Sequence, residues 1–231
     1  MTRDDVAVSP QRTGARSESP YVIGLTGPIA SGKSTIAEML RQRGAEVIDA
    51  DRVYRGLLAP GSALWKRVVD RFGPTIVGSD GDIDRAALAD IVFADSEALA
   101  DLDRITHPAV IAEIRERIAR TSSPLVVLEA VKLVQSGLAS DVDALWFITA
   151  DPETRLRRLI SRSGMDEKSA RARIAAAPSS VPEGVEVGAI IDNSGDLGST
   201  SSAVDDAWRA VWLSPAREKQ KDVMSVQKER S

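Results

Sequence analysis

Residues 24–35 read GLTGPIASGKST and follow the apolar pair Val22-Ile23. Within them, Gly27-Pro-Ile-Ala-Ser-Gly-Lys33-Ser34 has the spacing of a phosphate-binding loop: a glycine, four residues, then Gly-Lys-Ser. Such a loop works because a strand runs into a tight turn that opens a helix. Successive backbone N–H groups then converge on one spot, and the positive helix end strengthens their pull on a polyphosphate. Gly27, Ala30, Ser31 and Gly32 are expected to shape the cradle and Thr35 to follow in the helix. Lys33 supplies a charge to the β- and γ-phosphates, and the Ser34 hydroxyl sits on Mg²⁺. The flanks agree: Tyr21–Thr26 is short, apolar and partly β-branched, and Thr35–Arg43 carries apolar residues at helical spacing.

Outward from the loop, Glu46–Asp49 reads as a second strand and Asp51–Leu58 as a helix, before Pro60-Gly61 interrupts the chain. Residues 62–120 hold only helical patterns, with a junction expected at His107-Pro108. Three more apolar strands follow at 124–128, 144–150 and 188–192, separated by a basic helix after Asp151-Pro152 and a helix over 166–176. A last amphipathic helix is expected over 202–212. Short apolar strands alternating with helices predict an α/β three-layer fold of the P-loop NTPase kind around a five-stranded parallel sheet. Ligands of such sheets bind at the carboxyl ends of the strands.

Residues 1–20 and 214–231 are polar or charged and too poor in apolar groups to repay ordering, so they are expected to be disordered tails around a 21–213 domain. The amino-terminal stretch has no apolar centre of a signal peptide, and no apolar run reaches the roughly 18 residues that span a bilayer. With no cysteine there is neither a disulfide framework nor thiolate chemistry. These features predict a cytoplasmic protein that engages no membrane and shows no sign of an obligate protein partner. The net charge of −4 argues against a nucleic-acid-coating surface and leans toward small phosphorylated ligands.

Three classes share the loop: switch GTPases, ATP-driven motors and small-molecule kinases. The guanine-reading Asn-Lys-x-Asp is absent, since the only asparagine, Asn193, is followed by Ser-Gly-Asp. A motor needs an apolar strand ending in adjacent acidic residues, and here the strand ends in Glu129-Ala130. Kinase chemistry gains from VIDAD at 47–51, where alternation along an extended chain would put Asp49 and Asp51 on one side. One carboxylate would orient the acceptor hydroxyl and take its proton, the other would hold metal-bound water. Asp51 is equally placed to cap the following helix. Arg155, Arg158 and Arg162 share a helical face from which Arg157 is displaced; guanidinium groups there would stabilise a moving phosphoryl group or form a solvated basic face.

In order along about 21–212, the chain resembles the dephospho-CoA kinase family. Beyond the loop and VIDAD, the resemblance is carried by APGSALW (59–65), RFGPTIVGSDGDIDRAALADIVF (71–93) and Ile105-Thr-His107-Pro108. RLRRLISRSGM (155–165), ARARIAA (170–176) and IIDNSG (190–195) complete it. The resemblance implies phosphorylation of the 3′-hydroxyl of the ribose of dephospho-CoA by ATP with Mg²⁺, the last step of coenzyme A synthesis. It implies Asp51 as base, Lys33 and Arg158 on the moving phosphoryl group, and Ser34 and Asp49 at the metal. The helical insertion 62–120 would bind the acceptor, with Arg85 and His107 among its motif residues, and 152–177 would form a lid. His107 precedes a proline, where an imidazole also serves buried backbone groups. Departures are Pro28 and Ala30 where the family has glycine, Glu129-Ala-Val-Lys132-Leu with Gln135, Ala177, Gly188, and the absence of basic residues from 178–187. The alternatives are a shikimate-type kinase, for which 62–120 is long, and a nucleotide-binding regulator that has lost turnover.

Overall fold

The computed structural model describes residues 19–130, 133, 136–176, 180–181 and 186–213. The expected tails, apart from Ser19 and Pro20, lie outside the described residues, as do Lys132, Gln135, Ala177 and most of 178–187. Five strands, β1 (Tyr21–Thr26), β2 (Glu46–Asp49), β3 (Leu125–Glu129), β4 (Ala144–Thr149) and β5 (Ala189–Asp192), form one sheet in the order β2-β3-β1-β4-β5. Every pairing is parallel, with Leu25 opposite Glu129 and Asp49 opposite Glu129 on the other side.

Strand alternation builds the layers. Tyr21, Ile23, Leu25, Leu125, Val127, Trp146 and Ile148 face α1 (Lys33–Gln42) and α8 (Leu197–Leu213), meeting Ile36, Leu40, Val204 and Val211. Val22, Val126, Leu128 and Leu145 face the other way, against Val53 of α2 (Ala50–Leu57) and Val110, Ile114 and Ile118 of α5 (Ser96–Arg120). A strand covered on both faces has no polar side to present, which is why these sequences are apolar runs.

The segment after α2 makes its own small core. Leu64, Val68 and Phe72 of α3 (Ala63–Phe72) pack with Ile76 and with Leu88 and Val92 of α4 (Arg85–Ala94) and Ala98 of α5. Opposite, α6 (Pro152–Ser163) and α7 (Glu167–Ala176) enclose Leu156, Leu159 and Ala170, and Ile29 and Ala30 of the phosphate loop pack onto that cluster.

Three expectations are corrected. No junction falls at His107-Pro108: α5 runs unbroken for 25 residues with Pro108 inside it. The proline removes the donor to one carbonyl, a local cost that packing on both sides outweighs: Ala98 lies in the insertion core, Val110, Ile114 and Ile118 in the main core. The last helix begins at Leu197 because the Asp196 side chain accepts from the Ser199 N–H at 2.8 Å and caps a Ser/Thr run that reads as loop. Finally, β2 stops at Asp49 and α2 starts at Ala50, so strand alternation does not extend to Asp51. Among the described residues, no helix is long and apolar enough to cross a membrane.

Candidate active site

The phosphate loop leaves β1 at its carboxyl end, as the sheet topology requires. Gly27 has φ of 145°, and a Cβ there would lie 2.1 Å from the Ile148 carbonyl oxygen of β4. Gly32 caps α1 with φ of 90°, and a Cβ there would meet Asn193 Nδ2 at 2.0 Å. Both positions exclude a side chain by conformation and by space. Ala30 is the one described non-glycine residue with positive φ, at 60°. The departure from glycine noted there is therefore a strained one. The Pro28 carbonyl accepts from the Ser31 N–H at 3.3 Å. Ser34 is exposed in the first turn of α1, followed by Thr35.

Behind the loop, α6 and the end of β5 hold its carbonyls. Arg158 donates from Nη2 to the Asn193 carbonyl at 2.8 Å and from Nη1 to the Ser31 carbonyl at 3.4 Å. Asn193 is buried; its Nδ2 donates to Ser31 O at 2.9 Å and its Oδ1 accepts from Thr200 at 3.0 Å. Arg155 donates from Nε to Ile29 O at 3.0 Å and is only 4% exposed. The Asp151 cap, accepting from the Thr154 N–H at 2.8 Å, sets the start of the helix that carries these arginines. Arg157 turns outward to Thr154 Oγ1, while Arg162 is exposed but acts electrostatically on Lys33 and Glu129.

Lys33 is 7% exposed, with Nζ donating to Gly27 O at 3.0 Å and Pro28 O at 3.1 Å. Burial pushes its ammonium below the ordinary lysine value, against the pull of Glu129 and then Asp51; Arg155 and Arg162 push further down. Burial, and next Asp49, push the Glu129 carboxyl above its usual range, against Lys33, and Asp51 adds to the rise. Glu129 and Asp51 thus act on one lysine, and Asp49 acts on Glu129. Asp49 caps α2, its Oδ1 accepting from the Asp51 N–H at 2.9 Å and the Arg52 N–H at 3.1 Å. The capping role open to Asp51 therefore belongs to Asp49. Among the described residues, no hydrogen bond is made to the Asp51 carboxylate, which is exposed.

Two cavities share Arg55 as a wall. Ser34, Asp49, Glu129 and Arg55 line one of about 800 Å³. Asp51, Tyr54, Arg55, Arg85, Asp103 and His107 line another of about 990 Å³ between α2, α4 and α5. Arg85 begins α4, where the Asp84 side chain accepts from the Ala86 N–H at 2.9 Å. His107 lies half-exposed on the cavity wall, Nε2 3.3 Å from Asp103 Oδ1, rather than among buried backbone groups. Burial raises the Tyr54 hydroxyl above its usual value; Arg85 lowers it and Asp103 raises it.

The structure thus brings Lys33, Ser34, Asp49, Asp51 and Arg158 to one place, with Arg85 and His107 across the larger cavity. Sequence reasoning noted Glu129 only as a strand-end acid, Asn193 only against a guanine-reading motif and Arg155 only as one of an arginine cluster, and missed the contacts that tie each to the site. The signal for Glu129 is an acidic residue ending the strand beside β1; those for Asn193 and Arg155 are contacts distant in sequence.

A phosphate loop on one side of an unshared carboxylate and a roomy cavity on the other is the layout of a phosphate-loop kinase of the small-molecule class. A family model described as dephospho-CoA kinase matches residues 21–199, and the chain belongs to that family. Dephospho-CoA kinase of Symbiobacterium thermophilum is 47% identical over 193 residues, 82% of this chain and 81% of its own length. That of Carboxydothermus hydrogenoformans is 43% identical over 187 residues, 79% and 90% of the two chains. Among solved structures, TT1252 from Thermus thermophilus superposes with a TM-score of 0.70 at 32% identity, covering 84% of this chain and 97% of its own.

Proposed function

We infer that the chain transfers the γ-phosphoryl group of ATP to the 3′-hydroxyl of the ribose of dephospho-CoA, giving coenzyme A and ADP. The observation that carries this reading is the Asp51 carboxylate: it lines the larger cavity and is felt by Lys33 in the phosphate loop. The P–O bond to ADP breaks as the bond to O3′ forms, and Asp51 takes the ribose proton. Lys33 and Arg158 neutralise charge on the transferring group, which in a loose transition state is spread over three oxygens. The Lys33 ammonium, released from Gly27 O and Pro28 O, exchanges carbonyl partners for phosphate oxygens. Arg85 and His107 line the acceptor side, within the 62–120 segment. In this reading residues 152–177 act as the lid, 21–213 form the kinase domain between two tails, and the cytoplasm supplies the ATP.

Ser34 and Asp49 would hold Mg²⁺. The fit rests on donor chemistry: a hydroxyl and carboxylates of Asp49 and Glu129 line one cavity, all hard oxygen ligands. Among the described residues, no group of three or more His, Cys, Asp or Glu forms a metal cage, which suits an ion that keeps several waters and substrate phosphates. When bound, it would supply charge neutralisation to the polyphosphate.

ADP release measured over many turnovers tests the reading. Release that requires dephospho-CoA supports it; release driven by shikimate redirects it to another small-molecule kinase. ATP binding without turnover on either acceptor makes the chain a nucleotide-binding regulator.

A further inference from the structure

Arg155 is a buried cation that no acid among the described residues neutralises. It is 4% exposed, Nε is bound to Ile29 O at 3.0 Å, and Nη2 is buried without a hydrogen-bond partner. Among the described residues no carboxylate pairs with it, whereas Arg43, Arg71, Arg115 and Arg171 all meet acids. Burying a guanidinium without an acid is costly, and the cost persists only where the surroundings compel it or a ligand offsets it.

The surroundings are the underside of the phosphate loop. Ile29 and Ala30 rest on Leu156 and Leu159 of the same helix, and Ala30 holds the left-handed turn that follows the bonded carbonyl. Ser31, fully buried, has a hydroxyl that also finds no partner among the described residues. Loop, left-handed residue and α6 are thus one assembly with spare donors among the described residues, and the Arg155 charge reaches Lys33 through it.

We propose that Arg155 is a positioning residue for the donor nucleotide: its Nε fixes the Ile29 carbonyl and the strained turn, and its buried charge is matched only when a polyphosphate fills the loop. The proposal deepens the kinase reading and rests on ATP being the donor. It differs from the role given to Arg158, which reaches the moving phosphoryl group; Arg155 acts through the loop and through space.

The test compares Arg155→Met and Arg155→Gln with the wild type. MgATP affinity is measured by calorimetry without acceptor, melting temperature without nucleotide, and KM for both substrates in turnover. The Met variant loses the bond to Ile29 O as well as the charge, and should still fold but bind ATP about tenfold more weakly or worse, the size of a lost through-space charge at an effective dielectric near 20. KM for ATP should rise in step, with KM for dephospho-CoA unchanged and kcat less affected. The Gln variant can donate to Ile29 O without the charge and should fall between the two. Unchanged ATP affinity in the Met variant overturns the proposal, as does a Gln variant that binds like the wild type. Wild type that binds no ATP removes the donor reading and this inference together; the other outcomes strike the inference alone.

Discussion

Asp49 accepts a hydrogen bond from the Asp51 backbone N–H at 2.9 Å, so the first carboxylate of VIDAD starts the helix and leaves the second uncommitted. Stability and chemistry therefore divide between two residues that are adjacent but one. Asp49→Ala should lower stability by about 1 kcal/mol, the worth of a cap, while Asp49→Asn keeps the cap and raises the Mg²⁺ requirement. Asp51→Asn should melt like the wild type and lose roughly 10²- to 10⁴-fold in turnover at saturating ATP and dephospho-CoA, as expected for a missing base. Paired melting and turnover measurements check this; wild-type turnover by Asp51→Asn would remove it from the mechanism.

Lys33 combines burial with a lowered ammonium. Lys33→Met should stay within about 1 kcal/mol of wild-type stability, since relief of the buried charge offsets the lost bonds to Gly27 and Pro28. Turnover should fall by about 10²-fold or more, the cost of removing a preorganised charge from the transition state. A variant that retains turnover would show that the phosphate loop is not where the reaction happens.

Ala30 adopts φ of 60°, a conformation that disfavours a Cβ. Ala30→Gly should stabilise the protein by up to about 1 kcal/mol, less the extra chain entropy of glycine. Ala30→Val should destabilise it by more than that gain. Denaturant unfolding of the two variants reads the strain directly, and a destabilised glycine variant would mean that packing on α6 outweighs it.

Glu129 has its carboxyl pushed up by burial and by Asp49. The folded state then holds this proton more tightly than the unfolded chain does. Its contribution favours folding below the unfolded-state value and is lost as pH rises through the folded one. Glu129→Gln mimics the protonated form, so its stability relative to wild type should be greatest above that window and should shrink as pH falls through it. Urea unfolding across pH 4 to 8, in the range where carboxylates and their shifted forms titrate, follows the difference. A pH-independent difference would deny the raised carboxyl.

What the sequence made legible was local. GPIASGKS dictates its own turn, and each buried strand announces itself as an apolar run because both faces are covered. Asp51, Lys33, Ser34 and Arg158 were nameable because motif and resemblance carry them. The rest depends on chain segments far apart. Asn193 bonds Ser31 across 162 positions and Arg155 bonds Ile29 across 126, and no periodicity encodes either. The helix break expected at Pro108 followed propensity, which packing overrode. The pairing of Asp49 with the cap turned on a strand ending one residue earlier than alternation assumed.

Helix α5 has a consequence for protein engineering. Its first half belongs to the insertion core through Ala98, and its second half lends Val110, Ile114 and Ile118 to the main one. Excising residues 62–120 as a module would tear three large side chains out of the sheet's own packing. A graft meant to exchange the acceptor-side wall should instead be spliced within the helix near Pro108, where one backbone rung is already missing and a seam disrupts least. Such a chimaera would keep the sheet's covering helix native while replacing Arg85 and His107 with another wall.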